Sequence, residues 1–206
     1  MKDQTGREID YMRISITDRC NLRCKYCMPG DIETTDMANL LTYEEIVKVT
    51  ETAVSLGIRH VRLTGGEPLV RRGCVELVKK IKNISGIDTV GMTTNGVLLA
   101  EYARTLKEAG LDSVNVSLDT LDETEFQRLT GRNELKAVLA GIRAAQEAEI
   151  PVKINTVHYK NLDWRAVLAY ADERQIPVRF IEMMPIGYGK QFPFQDEESI
   201  KTVLEE

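Results

Sequence analysis

The 206 residues are 43% hydrophobic and include 14 glycines and 6 prolines, ordinary amounts for a globular chain, so residues 1–206 are expected to fold as one substantial domain. With 32 acidic against 27 basic side chains the net charge is −5, which argues against a general nucleic-acid or membrane-surface binder and for small-molecule partners. No apolar run approaches the roughly 20 residues that cross a bilayer, and Met1 leads into charged and polar residues rather than a secretory signal, so a reducing, cytoplasmic location is expected.

Residues 11–17 alternate in the manner of a strand and deliver the chain to Cys20-Asn-Leu-Arg-Cys24-Lys-Tyr26-Cys27-Met-Pro. A polar stretch follows, and then residues 42–57 carry a threonine cap with Glu45 three residues on, helical apolar spacing and a terminal glycine. Residues 58–63 read as a strand that feeds Thr64-Gly-Gly-Glu-Pro68, where two glycines permit close backbone approaches. The pattern then repeats. A helix is expected over about 70–82, a strand over 89–94, a turn at Asn95-Gly96 and a helix over about 99–109, ended by Gly110. Next come a strand over 113–118 with Asp119 after it, a helix near 135–148, a strand over 152–157, a helix over 164–174 and a strand over 178–183. Residues 185–194 are turn-rich, and 196–206 read as a final amphipathic helix.

Six strands alternating with helical sequence imply an α/β fold with a parallel sheet and right-handed crossovers. Pattern alone leaves two arrangements, a partly closed barrel or a flat doubly wound sheet. In both, residues just past the strand C-termini gather on one face. The polar candidates there are Arg13, the three clustered cysteines, Gly65, Gly66, Thr93, Ser117, Lys153 and Met184.

Three thiols within eight residues, at spacings of three and two, suit an iron–sulfur cube whose neighbouring irons are held by soft thiolates. Three thiolates leave one corner open, which marks a cluster that binds and activates a small molecule. The alternatives fit less well. Zinc wants a fourth ligand, and Cys74, His60 and His158 lie at no zinc-finger spacing; a disulfide does not suit a reducing compartment. Cys74, in a helix start, reads as a buried or semi-buried free thiol with redox sensitivity left open, and the two histidines as satisfied structural groups.

Cys-x3-Cys-x2-Cys with an aromatic before the third cysteine resembles the signature of the radical S-adenosylmethionine (SAM) enzymes. The flanks, Arg13-Ile-Ser-Ile-Thr-Asp-Arg-Cys-Asn before the loop and Met28-Pro29 after it, resemble the GTP 3',8-cyclase family, which begins molybdenum-cofactor biosynthesis. The resemblance implies an open (β/α)6 partial TIM barrel of the radical SAM type. It also implies that Cys20, Cys24 and Cys27 hold a [4Fe-4S] cluster and that SAM chelates the fourth iron. An electron from the reduced cluster would then yield a 5'-deoxyadenosyl radical that takes a hydrogen from the substrate. On the same basis Tyr26, Gly66, Ser117 and Met184 face SAM, while Arg13, Arg62, Thr93 and Lys153 face GTP. Three cations at strand ends have a chemical reason to gather a triphosphate in an acidic protein. Thr130-Gly131-Arg132 resembles a short family signature to which a structural role is given. An electron donor such as a flavodoxin or ferredoxin is implied, and a homodimer is compatible with the family.

The sequence departs from the cyclase pattern at its C-terminal side. The family continues into a region with three further cysteines for a second cluster at the guanine end of GTP, and those cysteines are not among these 206 residues. The chain is thus expected to be the barrel portion, as a fragment of a longer cyclase or as a short relative with another substrate. A radical SAM enzyme acting on a substrate such as a peptide is the first alternative. A non-catalytic iron–sulfur electron-transfer or binding module is the second, although an electron carrier needs a fourth ligand and has no use for Gly65-Gly66-Glu67-Pro68.

Overall fold

The computed structural model describes residues 2–28, 30, 34–158, 162–184 and 186–191. Six strands form one sheet: β1 (Tyr11–Ser15), β2 (His60–Thr64), β3 (Thr89–Thr94), β4 (Ser113–Ser117), β5 (Val152–His158) and β6 (Val178–Glu182). Their spatial order is their sequence order, with parallel pairing of β1–β2, β2–β3, β3–β4 and β5–β6. The Val114 and Leu118 amides donate to Pro151 O and Asn155 O, which joins β4 to β5. A doubly wound sheet reverses its strand order at a switch point, so a consecutive order decides for the open six-unit arrangement. β1 and β6 are its edges.

Among the described residues six α-helices lie between the strands: α1 (Tyr43–Ser55), α2 (Cys74–Lys82), α3 (Leu99–Glu108), α4 (Glu123–Thr130), α5 (Leu135–Glu147) and α6 (Arg165–Glu173). The capping box at Thr42 and Glu45 forms as its spacing predicts, each residue bonding the other's backbone N–H. Two elements differ from expectation. Helix α2 begins at Cys74 rather than near residue 70, because Pro68–Val70 make a 3-10 turn, Arg71 is extended, and Gly73 sits at φ +79. Helix α4 has only eight residues and a largely polar surface, which hid it, yet Asp122 caps it by accepting the Glu125 amide, and Phe126, Leu129 and Thr130 are buried. The helix expected at 196–206 lies outside the described residues.

The chain divides into two compact units. The first comprises Met1–Asn21, Glu33–Val116 and Ala137–Val152; its core joins Val61, Leu63, Val90, Met92, Val114 and Val116 of the strands with helical Leu77, Ile81, Leu99, Leu106, Val138 and Ile142. The second comprises Leu22–Ile32, Ser117–Lys136 and Lys153–Glu206, with a core that includes Leu118, Phe126, Leu129, Ile154, Trp164, Val167 and Met183. Among the described residues no helix is long and apolar enough to cross a membrane.

Candidate functional site

The loop that follows β2 explains its own glycines. A Cβ on Gly65 would overlap Thr17 O, and one on Gly66 would overlap Arg19 O and come within 2.7 Å of Asp18 O, all backbone atoms that cannot swing aside. Only glycines let this loop lie against the segment that leads into Cys20. The approach is sealed by main-chain bonds, Gly66 N to Thr17 O at 2.7 Å and Glu67 N to Arg19 O at 2.8 Å.

Glu67 is fully buried, and every bond to its carboxylate comes from a donor: the Leu69 amide (3.0 Å) and the Thr94 hydroxyl (2.8 Å) at Oε1, the Asn95 amide (2.6 Å) at Oε2. Burial pushes this carboxyl above the usual range, against the pull of those three donors. Its effect is to lock the end of β3 to the glycine loop. Asn95, just past β3, then places its amide nitrogen 2.7 Å from Asn21 Oδ1 and 3.6 Å from Cys20 Sγ. Arg71 supports the same segment, donating to Ile16 O and Leu41 O and stacking on the Tyr43 ring.

Along β1 to β4, Arg13, Arg62, Gly91 and Ser113 stand in one register row. The Arg62 side chain crosses over Gly91 to donate to Met92 O at 2.9 Å and Ser113 Oγ at 3.3 Å. A Cβ on residue 91 would lie 2.7 Å from its guanidinium, so Gly91 makes room for that reach. Thr93 is paired with Asn115, a buried polar residue on the same strand face that the sequence did not single out.

In the second unit the cysteine loop is held by main-chain bonds. Arg23 N donates to Thr130 O and Lys25 N to Leu129 O, so the C-terminus of α4 is the platform for the loop, and Gly131 ends that helix at φ +70 with its Cβ position 3.3 Å from Arg23 Cβ. This gives the Thr130-Gly131-Arg132 stretch its structural role. A turn in which Cys24 O accepts the Cys27 and Met28 amides brings Cys24 and Cys27 onto one bend.

Tyr26 packs against Leu129, Leu162 and Met183, and its hydroxyl donates to Asp119 Oδ2 at 2.5 Å. Asp119 Oδ1 accepts the Val157 amide at 2.8 Å. Asp119 therefore ties the cysteine loop to the ends of β4 and β5. Burial raises the phenol well above its ordinary value, reinforced by the Asp119 charge, so Tyr26 stays an O–H donor. Ser117 is half-buried at the end of β4, and Met184 is exposed beside buried Met183. The three cations differ from expectation: Arg13 and Arg62 lie in the middle of β1 and β2, and half-buried Lys153 is the second residue of β5, so all three stand within strands rather than at their C-terminal ends.

Burial also pushes the Asp119 carboxyl up from 3.8 to about 6. The folded state then binds this proton more tightly than the unfolded one, so the contribution to stability is full below about pH 4 and is lost as pH rises through about 6. Urea unfolding at pH 5 and pH 7.5 should show the wild type less stable at the higher pH. Asp119→Asn, which keeps an acceptor for Val157 and a partner for Tyr26, should flatten that difference. An identical pH dependence in both proteins would contradict the assignment.

Cys74 is a buried free thiol, as its sequence setting suggests, and burial pushes it up to about 12, which disfavours the reactive thiolate. His60 bonds the Thr89 hydroxyl and lies 3.8 Å from Asp10. His158 departs from expectation, since it is buried and neither ring nitrogen has a hydrogen-bond partner among the described residues. No disulfide joins the four thiols. Among the described residues no three His, Cys, Asp or Glu side chains converge on a single ion. Thiolates of an iron–sulfur cube hold separate irons and need no common point. The donor set fits such a group: three thiols in one stretch, two on a single bend and the third facing an amide donor.

The model of the radical SAM superfamily matches residues 14–173. The chain is 48% identical over 192 residues to the GTP 3',8-cyclase of Petrotoga mobilis, covering 91% of this chain and 59% of the relative. It is 46% identical over 208 residues to the GTP 3',8-cyclase of Clostridium perfringens, covering 99% of this chain and 64% of the relative. The chain thus spans about three fifths of the length of these curated relatives. Among solved structures it resembles Streptococcus suis SuiB bound to S-adenosylmethionine, with a TM-score of 0.78 at 21% identity over 95% of this chain and 46% of that one. It also resembles HydG, a maturase of the [FeFe]-hydrogenase, with a TM-score of 0.71 at 16% identity over 92% of this chain and 46% of that one. A six-stranded parallel sheet in consecutive order, a three-cysteine loop beyond its first strand and a family match over most of its length agree: this chain belongs to the radical SAM superfamily.

Proposed function

We propose that this chain is the barrel portion of a GTP 3',8-cyclase, a radical SAM lyase that converts GTP to 3',8-cyclo-7,8-dihydro-GTP in molybdenum-cofactor biosynthesis. The observation that carries it is the 48% identity to the Petrotoga mobilis cyclase over 91% of the chain. Cys20, Cys24 and Cys27 would hold a [4Fe-4S] cluster, which when bound and reduced would supply the electron for reductive cleavage of SAM. The chain's own residues bind and orient. Tyr26, Gly66, Ser117 and Met184 face SAM, with Gly66 offering its carbonyl because its N–H is bonded to Thr17 O. Arg13, Arg62, Thr93 and Lys153 face the ribose and triphosphate. Arg62 is braced by Met92 O and Ser113, so its direction is fixed before substrate arrives, whereas Arg13 is exposed on the edge strand. A flavodoxin- or ferredoxin-like donor, a cytoplasmic location and a homodimer belong to the same proposal.

Charge-assisted hydrogen bonds contribute roughly 1.5–3 kcal/mol each, so phosphate contacts alone retain nucleotide, while guanine selectivity needs contacts to the base. Calorimetry on residues 1–206 should find weak binding of GTP and of ATP, within about tenfold of each other. Arg13→Ala and Lys153→Ala should each weaken both by about tenfold or more, the lower end of that energy range. No binding of either nucleotide, or binding indifferent to both substitutions, would overturn the substrate assignment.

A further inference from the structure

The end of β3 carries a side chain whose setting is more constrained than a turn residue needs. Asn95 and Gly96 form the bend, with Gly96 at φ +82. A turn asparagine commonly caps its own loop, and Asn95 does so by accepting the Val97 amide at Oδ1, 3.0 Å away. That contact has a further consequence. Since the oxygen is occupied by a backbone donor, the amide orientation is fixed, and the nitrogen must face the other way. There it meets Asn21 Oδ1 at 2.7 Å and Cys20 Sγ at 3.6 Å. The backbone of the same residue is held by buried Glu67, whose Oε2 accepts the Asn95 amide at 2.6 Å. Asn95 is therefore clamped at its main chain, its amide oxygen and its amide nitrogen, and the clamp aims an N–H at the first of the clustered thiols.

A sulfur that ligates iron carries much of the cluster's negative charge, and hydrogen bonds to ligating sulfurs are one of the means by which a protein sets cluster potential. A donor stabilises the reduced, more electron-rich state over the oxidised one. We propose that Asn95 is a positioning residue that donates an N–H···S hydrogen bond to the Cys20 thiolate and thereby raises the reduction potential of the iron–sulfur cluster, which rests on the cluster reading given above. Its neighbour Asn21 completes the arrangement, because its Oδ1 takes the second amide hydrogen and stops the Asn95 side chain from rotating away.

The test uses the full chain, reconstituted without oxygen with iron and sulfide, as wild type, Asn95→Asp and Asn95→Ala. Iron and sulfide content is measured first. A wild type that binds neither would sink the cluster reading, and this proposal with it, and would be seen before any potential is measured. With loaded proteins, redox titration followed by electron paramagnetic resonance should give a lower potential for both variants. Asn95→Asp keeps the acceptor for Val97 and replaces the donor with an anion, so it should show the larger shift. The expected change in its one-electron reduction equilibrium is at least tenfold, about 59 mV. A loaded Asn95→Asp protein with the wild-type potential would overturn the proposal. Should neither variant load, wild type labelled with 15N-asparagine decides. Pulsed resonance of its reduced cluster should reveal a coupled side-chain nitrogen, and absence of that coupling would refute the hydrogen bond.

Discussion

Cys24→Ser is expected to leave the fold intact and to abolish cluster binding. The backbone around residue 24 is fixed by Arg23 N to Thr130 O, Lys25 N to Leu129 O and the two amides that donate to Cys24 O, none of which involves the thiol. Exchange of sulfur for oxygen at a half-buried position should therefore change unfolding free energy by no more than about 0.5 kcal/mol. Iron binding is another matter, since a serine hydroxyl is a hard and far less acidic donor than a thiol. Loss of an outer-shell partner typically costs about 10–100-fold in metal affinity, and loss of a direct ligand should exceed that. Parallel urea titrations and iron and sulfide analysis separate the two effects. Retention of full iron and sulfide by the serine variant would contradict the ligand assignment.

The largest expected loss of stability follows substitution of Glu67. Alanine there leaves the Leu69 and Asn95 amides and the Thr94 hydroxyl without their acceptor in a buried site. An unsatisfied buried donor costs about 1–3 kcal/mol, so the variant should lose on the order of 3–5 kcal/mol from a total that is typically about 5–15. Glutamine is the sharper comparison. It has the same shape, but one of its two ends is an NH2, and both carboxylate oxygens of Glu67 face donors. Whichever way the amide turns, a donor meets a donor. Glu67→Gln should therefore lose at least about 2 kcal/mol, seen as a lower urea midpoint at an unchanged slope. Wild-type stability in the glutamine variant would show that the carboxylate is not the lock described.

Much of the fold was legible because it is repetitive. Apolar runs of strand length alternate with helical spacing six times, and caps such as Thr42 with Glu45 mark boundaries locally. The choice between barrel-like and doubly wound order was not legible in the periodicity, which does not say which strands become neighbours; the family resemblance implied the open arrangement, and the consecutive strand order bears it out. Helix α4 was missed because eight residues hold barely two turns of periodicity and most of its surface is polar. The thiols were legible because all three ligands sit in one stretch. Their supports were not, because Tyr26 meets Asp119 across 93 residues and Cys20 meets Asn95 across 75. A usable signal existed in Asp119 and Asn95, which are polar residues set at the C-terminal ends of β4 and β3. Glu67 was quoted only as part of a motif, and the structure gives it a separate task.

This chain is expected to carry a working radical SAM centre, and the product of SAM cleavage is the decisive readout. Protein reconstituted without oxygen, verified for one [4Fe-4S] cluster per chain and given a strong reductant, should form 5'-deoxyadenosine from SAM, while Cys24→Ser should form none above background. No 5'-deoxyadenosine from the wild type with its cluster verified would contradict the claim.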